Sequence, residues 1–284
     1  MHILVPYDFD AQTDKALQQA VHLASHSSGS ITLLYVYEGQ SIISAIFGND
    51  RKKEMFGMLA DKLEALAVSL SLKTGIDVNV RLEQGRIGHE IAAVAKDLAV
   101  DMIVMGTRSS NFAEDEIPEI GANTSRVIRL ASCPVISISG TMHYDGLRMI
   151  MLPFDHHPET TQKVDWAIKM AQIYGAGIHL VSALPALASP QEKTEATTHM
   201  DKAEIAIKAA GISYFKTHIE PVTGDKTLVN DLLTYAASAG DIDLIVIMTQ
   251  RGPAFVDFFV DSQAQEFIRR SNIPVMTIVP DKEI

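Results

Sequence analysis

An apolar run closing on proline, an aromatic residue and aspartate occurs twice, as HILVPYD at residues 2–8 and MIMLPFD at 149–155. The recurrence extends well beyond that peptide. DMIVMGT at 101–107 returns as DLIVIMT at 243–249, and CPVISI at 133–138 returns as IPVMTI at 273–278. The period is about 140 to 147 residues, far too long for a solenoid unit. Two copies of one architecture are therefore expected, a domain over residues 1–141 and a second over 146–284.

Within each copy, short apolar runs alternate with helical patterns. In the first, strands are predicted at His2–Asp8, Ile31–Val36, Ile76–Leu82, Asp101–Gly106 and Val135–Ile138. The third alternates weakly and suits a sheet edge. Helical spacing appears from Ala16 to Ala24, Lys52 to Lys73, Ile87 to Ala99 and after Gly121. Asp10, Gln12 and Thr13 are candidates for capping the first of these. The second copy repeats the alternation to Val275–Ile278. Such an order predicts an α/β domain with a mostly parallel sheet, its ligands lying outside the carboxyl ends of the strands. Asp8 and Gly106 end strands there, as do Asp155 and Met248.

Composition narrows the function classes. A net charge of −11 disfavours a general nucleic-acid or anionic-membrane binder. Cys133 is the only cysteine, so no intramolecular disulfide and no CxxC metal site form. No apolar run approaches the length of a membrane span, and the amino terminus turns polar too soon for a signal peptide. The cytoplasm is the expected compartment.

Gly106 at a strand end, followed by Gly121, Asn123 and Thr124 at a helix start, forms a plausible phosphate cradle. A helix N-cap accounts for Gly121 equally well, and a strand-ending turn accounts for Asp8 and Asp155. No nucleophile elbow, HExxH or Walker lysine is present, so no catalytic residue is assigned. His22 and His26 pair at helical spacing and His156 adjoins His157, but without a ligand cluster all four are read as solvated. Cys133 is read as buried and inert. Trp166 and the methionines at helical spacing are read as core. The acidic segment Glu114–Glu119 is read as a solvated loop.

VPYD and LPFD, DMIVMGT, GANTSRVIR at 121–129, CPV and IPV, in that order and doubled, resemble a tandem universal stress protein. The resemblance covers nearly the whole chain. It implies two three-layer domains of the adenine nucleotide alpha hydrolase type, each with a five-stranded sheet, paired as a pseudo-dimer through Val135–Ile138 and Val275–Ile278. A homodimer is left open. It also implies that some members bind ATP through a pattern G-x2-G-x9-G-[ST]. Carried onto this chain, the nucleotide set is Asp8 with its neighbours Pro6 and Tyr7, then Val36, Met105 and Gly106. Arg108, Ser109, Gly121, Ala122, Asn123 and Thr124 complete it.

The first copy departs from that pattern. Ser109 stands for the middle glycine, Ala122 for the hydroxyl residue, and the interval from Gly106 to Gly121 is two residues longer. The added carboxylates repel polyphosphate unless Mg²⁺ joins them. In the second copy Met248, Arg251 and Asp261 fill the glycine positions. Asp155, Ala183 and Ser262 remain there as a degenerate site. The leading reading is a non-enzymatic stress-response protein with ATP or AMP in its first half. A nucleotide-independent scaffold and, more weakly, a slow ATPase stand as alternatives.

Overall fold

The computed structural model describes residues 1–38, 48–107, 120–139, 146–154, 161–184, 188–219, 228–249 and 262–280. The chain divides into two compact units, and the main break, after Ile136, falls inside the strand Val135–Ile138, which is described with the first. Ten strands and eight helices lie among the described residues.

The first unit runs β1 (His2–Pro6), α1 (Ala11–His26), β2 (Ser30–Tyr37), α2 (Gly48–Thr74), β3 (Asp77–Gln84), α3 (Ile87–Asp97), β4 (Met102–Gly106), α4 (Ala122–Leu130) and β5 (Val135–Ile138). Its strands lie in the order β3-β2-β1-β4-β5. β1 pairs in parallel with β2 and β4, with His2 opposite Ser30 and Ile3 opposite Met102. The weakly alternating strand, β3, does lie at the edge of this order. The chain steps outward from β1 to β3, then returns to β4 on the other side. Right-handed crossovers in these two directions put α1 and α2 on one face and α3 and α4 on the other. The crevice where the direction reverses, between β1 and β4, opens at the strands' carboxyl ends.

Local chemistry explains the elements that frame this crevice. Ile3, Leu4 and Val5 are fully buried, as a strand covered on both faces requires. Asp10 caps α1 by accepting the Gln12 amide at 2.8 Å, which confirms it as the capping residue. Gly88 on α3 lies against the aliphatic stem of Arg126 on α4, where a β-carbon would stand 3.0 Å away. That absence of a side chain lets the two helices close together over the same face.

The second unit repeats the plan. It runs β6 (Met149–Phe154), α5 (Gln162–Tyr174), β7 (Gly177–Ala183), α6 (Pro190–Ala209), β8 (Tyr214–Ile219), α7 (Leu228–Ala239), β9 (Ile242–Met248), α8 (Ser262–Arg270) and β10 (Val275–Ile278). The strand order is β8-β7-β6-β9-β10. Gly175 ends α5 in the left-handed region at φ 67°, and a Ser189–Glu192 capping box opens α6.

One tie recurs in both units. Asp101 accepts the His2 amide at 2.8 Å, and Asp243 accepts the Arg148 amide at 2.7 Å. Each carboxylate fastens the start of the fourth strand of its unit to the start of the first.

Two expectations are corrected. Trp166 is half-buried, not core, because it lies on the outer flank of α5 with the Lys169 ammonium 4.4 Å from its ring centroid. Among the methionines, Met170 and Met200 are fully buried, whereas Met58 is 68% exposed on the outer face of α2.

Candidate functional site

A cavity of about 300 Å³ occupies the crevice of the first unit, a volume at the lower end for small-molecule sites. Its floor is the strand-end group Pro6, Tyr7, Asp8, Met105 and Gly106, and Val36 adds the end of β2. Gly121, Ala122, Asn123 and Thr124 approach from the first turn of α4. Ten of the twelve residues expected for a nucleotide in this half therefore line one space. Arg108 and Ser109, with the acidic segment 114–119, lie outside the described residues.

Two glycines at this site have different reasons to be glycine. A β-carbon on Gly106 would stand 3.0 Å from the Gln12 carbonyl oxygen, so close packing of α1 on β4 demands its absence. Gly121 has no such constraint. Its φ of −55° and ψ of 139° suit any residue, and among the described residues its β-carbon would meet nothing nearer than 3.4 Å. Neither backbone geometry nor packing against the described residues requires the missing side chain, and Gly121 borders the cavity. The first-turn amides of α4 have no intrahelical acceptors and carry the positive end of the helix dipole.

Sequence reasoning missed the opposite wall. Leu34 on β2 and Ile87 and Ile91 on α3 give the cavity an aliphatic side, and Thr13 and Thr107 add hydroxyls. The alternation of β2 already puts Leu34 on the same face as Val36. The contribution of α3 depends on where a helix some fifty residues later lands.

Asp8 is exposed and accepts the Asp10 amide at 3.0 Å and the Thr13 hydroxyl at 2.9 Å through Oδ1. Tyr7 donates its phenol to Asp14. Burial, then the bonded Asp14 carboxylate, push that phenol far above its ordinary value, so Tyr7 stays a neutral donor. Burial and the Asp8 charge raise Tyr35 in the same way.

The second unit differs at the corresponding place. Asp155 and His156–His157, with Arg251 and Asp261, lie outside the described residues. Ala183 ends β7 and is buried, and Ser262 opens α8. Half-buried Met248 ends β9 where Gly106 ends β4. Lys163, only 2% exposed, sends its ammonium 2.6 Å to the carbonyl of Pro153, the counterpart of Pro6. The same ammonium lies 4.2 Å from the Phe154 ring centroid, a cation–π contact. The signal was in the sequence, since Lys163 occupies an inward position of α5 where α1 has Ala16.

Cys133, read as buried, is half-buried. Burial and then the Asp101 carboxylate push its thiol up to about 12. The His22 and His26 rings lie tilted at 49° with centroids 4.5 Å apart on α1; His26 is exposed, whereas His22 is half-buried, a correction to its solvated reading.

A sequence profile described as the universal stress protein family matches residues 1–138 and again residues 146–279. The chain belongs to that family. Universal stress protein YxiE of Bacillus subtilis is 27% identical over 150 residues, covering 48% of this chain and 97% of the relative. Universal stress protein G of Shigella flexneri is 31% identical over 143 residues, covering 48% of this chain and 96% of the relative. Each is about as long as one of the two universal stress protein domains here. A universal stress protein from Archaeoglobus fulgidus superposes with a TM-score of 0.76 at 17% identity, covering 100% of this chain and 97% of that one. That likeness establishes the doubled fold. No described helix is long and apolar enough to cross a membrane.

Proposed function

We propose that this tandem universal stress protein binds an adenine nucleotide, ATP or AMP, in its N-terminal domain as part of a cytoplasmic stress response. The observation that carries the reading is Gly121. It is a glycine that neither φ nor packing against the described residues requires, and it borders a cavity of about 300 Å³ at the amino end of α4. In this reading the base lies against Val36 and the aliphatic wall, and the sugar lies at Asp8. The phosphates meet the first-turn amides of α4 and the Thr124 hydroxyl. The role is binding rather than turnover, with the nucleotide setting a conformation or a partner surface.

The C-terminal domain serves as the nucleotide-free half. Met248 at the strand end and the Lys163 ammonium on the Pro153 carbonyl both support that division of labour. Two family domains in one chain, matched over 1–138 and 146–279, further support an internal pseudo-dimer, for which 1–141 and 146–284 are the proposed domain limits.

Isothermal titration of the full chain with ATP and with AMP, each with and without Mg²⁺, tests the proposal. One site per chain is expected, abolished by a bulky residue at Gly121. No heat with either nucleotide overturns the proposal in favour of a nucleotide-independent interaction protein.

A further inference from the structure

The Asp8 carboxylate is held on one side only. Oδ1 accepts the Asp10 amide and the Thr13 hydroxyl, while Oδ2 accepts no hydrogen bond from a described residue. The Thr13 hydroxyl also stands 2.9 Å from the Asp10 carbonyl. It has one proton for two acceptors, and the ionised carboxylate is the stronger of them.

The backbone beneath is set just as firmly. Phe9, between Asp8 and Asp10, adopts φ 66°, a conformation unfavourable for a bulky residue. Its ring compensates by meeting Tyr7 edge-on at 5.1 Å and lying under the Lys62 ammonium at 4.0 Å. The turn at Asp8 is thus over-determined from both sides of the chain.

We propose that Thr13 is a positioning residue that fixes Oδ1 of Asp8, presents Oδ2 to the cavity as a hydroxyl acceptor, and so makes the site select ribonucleotides over 2′-deoxyribonucleotides. The inference rests on the nucleotide reading above. A carboxylate repels phosphate and accepts from neutral donors; away from its phosphates an adenine nucleotide offers the base amino group and the sugar hydroxyls, and with the base against Val36 the hydroxyls fall to Asp8. A fixed acceptor discriminates against an analogue lacking one donor, because reorientation cannot recover the lost bond. A freely rotating carboxylate on an exposed turn has no such constraint.

Titration of the full chain with ATP and 2′-deoxyATP decides it, using the wild type, Thr13→Val and Thr13→Ser. The wild type is expected to prefer ATP about tenfold, the scale of one hydrogen bond to a charged group. Thr13→Val removes most of that preference, and Thr13→Ser restores it. Equal wild-type affinity for the two ligands overturns the inference and leaves nucleotide binding standing. So does a Thr13→Val protein that weakens both ligands alike, which marks Thr13 as a direct or merely structural contact. No binding of either ligand by the wild type overturns the nucleotide reading and this inference together.

Discussion

A β-carbon on Gly106 would stand 3.0 Å from the backbone oxygen of Gln12. The obstructing atoms belong to the first turn of α1, which is backbone and cannot rotate aside. Gly106→Ala is therefore expected to destabilise the N-terminal domain by about 1–3 kcal/mol, as overpacking does. A urea titration followed by circular dichroism reads this as a lower midpoint. An unchanged midpoint would mean that α1 shifts without penalty.

Gly121 predicts the opposite pattern. Serine suits its backbone angles and is a good N-cap, so Gly121→Ser should keep stability within about 0.5 kcal/mol or raise it. ATP affinity should nevertheless fall about tenfold or more, because the new side chain enters the cavity beside the α4 amides. The two measurements together separate a glycine kept for the fold from one kept for a ligand. Unchanged ATP affinity would remove Gly121 from the site.

Asp243 is 3% exposed and serves both the Arg148 amide and its guanidinium. The Arg148 side chain is 67% exposed, so its ion pair is largely screened. Asp243→Ala should destabilise the C-terminal domain by about 1–3 kcal/mol, since it strands a backbone amide. Arg148→Ala, which keeps that amide bond, should change stability by less than about 1 kcal/mol. Equal effects in denaturant titration would assign the stabilisation to the ion pair.

His179 is 8% exposed and bonds Thr217 at 2.9 Å, with Tyr235 donating to the same hydroxyl. Burial lowers its proton affinity below the ordinary 6.5, opposed in part by Asp241. The unfolded chain therefore takes up the proton first as pH falls. This contribution to stability is complete above 6.5 and is lost as pH drops from there through the lower folded value. Thermal melts between pH 8 and pH 5 should show His179→Gln losing less stability than the wild type, by at most about 1.4 kcal/mol per pH unit. Parallel curves would show that His179 does not titrate in this window.

With its thiol pushed up to about 12, Cys133 has a thiolate fraction on the order of 10⁻⁴ at pH 8. Reaction with a disulfide reagent should be slow in the native protein and fast in urea. Rapid native labelling would contradict that environment.

The repeat, the alternation of strand and helix and most element limits were legible from residue pattern, because each depends on neighbours a few positions away. Ile3 to Val5 read as a covered strand and are one. Asp10 read as a cap and is one. Trp166 misled, because an aromatic residue at helical spacing says nothing about whether its own flank meets the sheet. The site was legible in part, through Asp8, Gly106 and the start of α4, which are strand ends and helix starts that local chemistry marks.

By itself the sequence determined that two copies of one α/β unit exist and which strand ends could gather ligand-facing groups. Periodicity and capping are short-range properties of the chain. Only the tertiary structure decided why each glycine is a glycine. Gly106 answers to Gln12, more than ninety positions earlier, whereas Gly121, among the described residues, meets nothing nearer than the Thr107 carbonyl at 3.4 Å. It also decided that Ile87 and Ile91 wall the cavity, that Thr13 holds Asp8, and that Lys163 takes the Pro153 carbonyl. Those are contacts between elements far apart along the chain, and no local pattern encodes where two such elements meet.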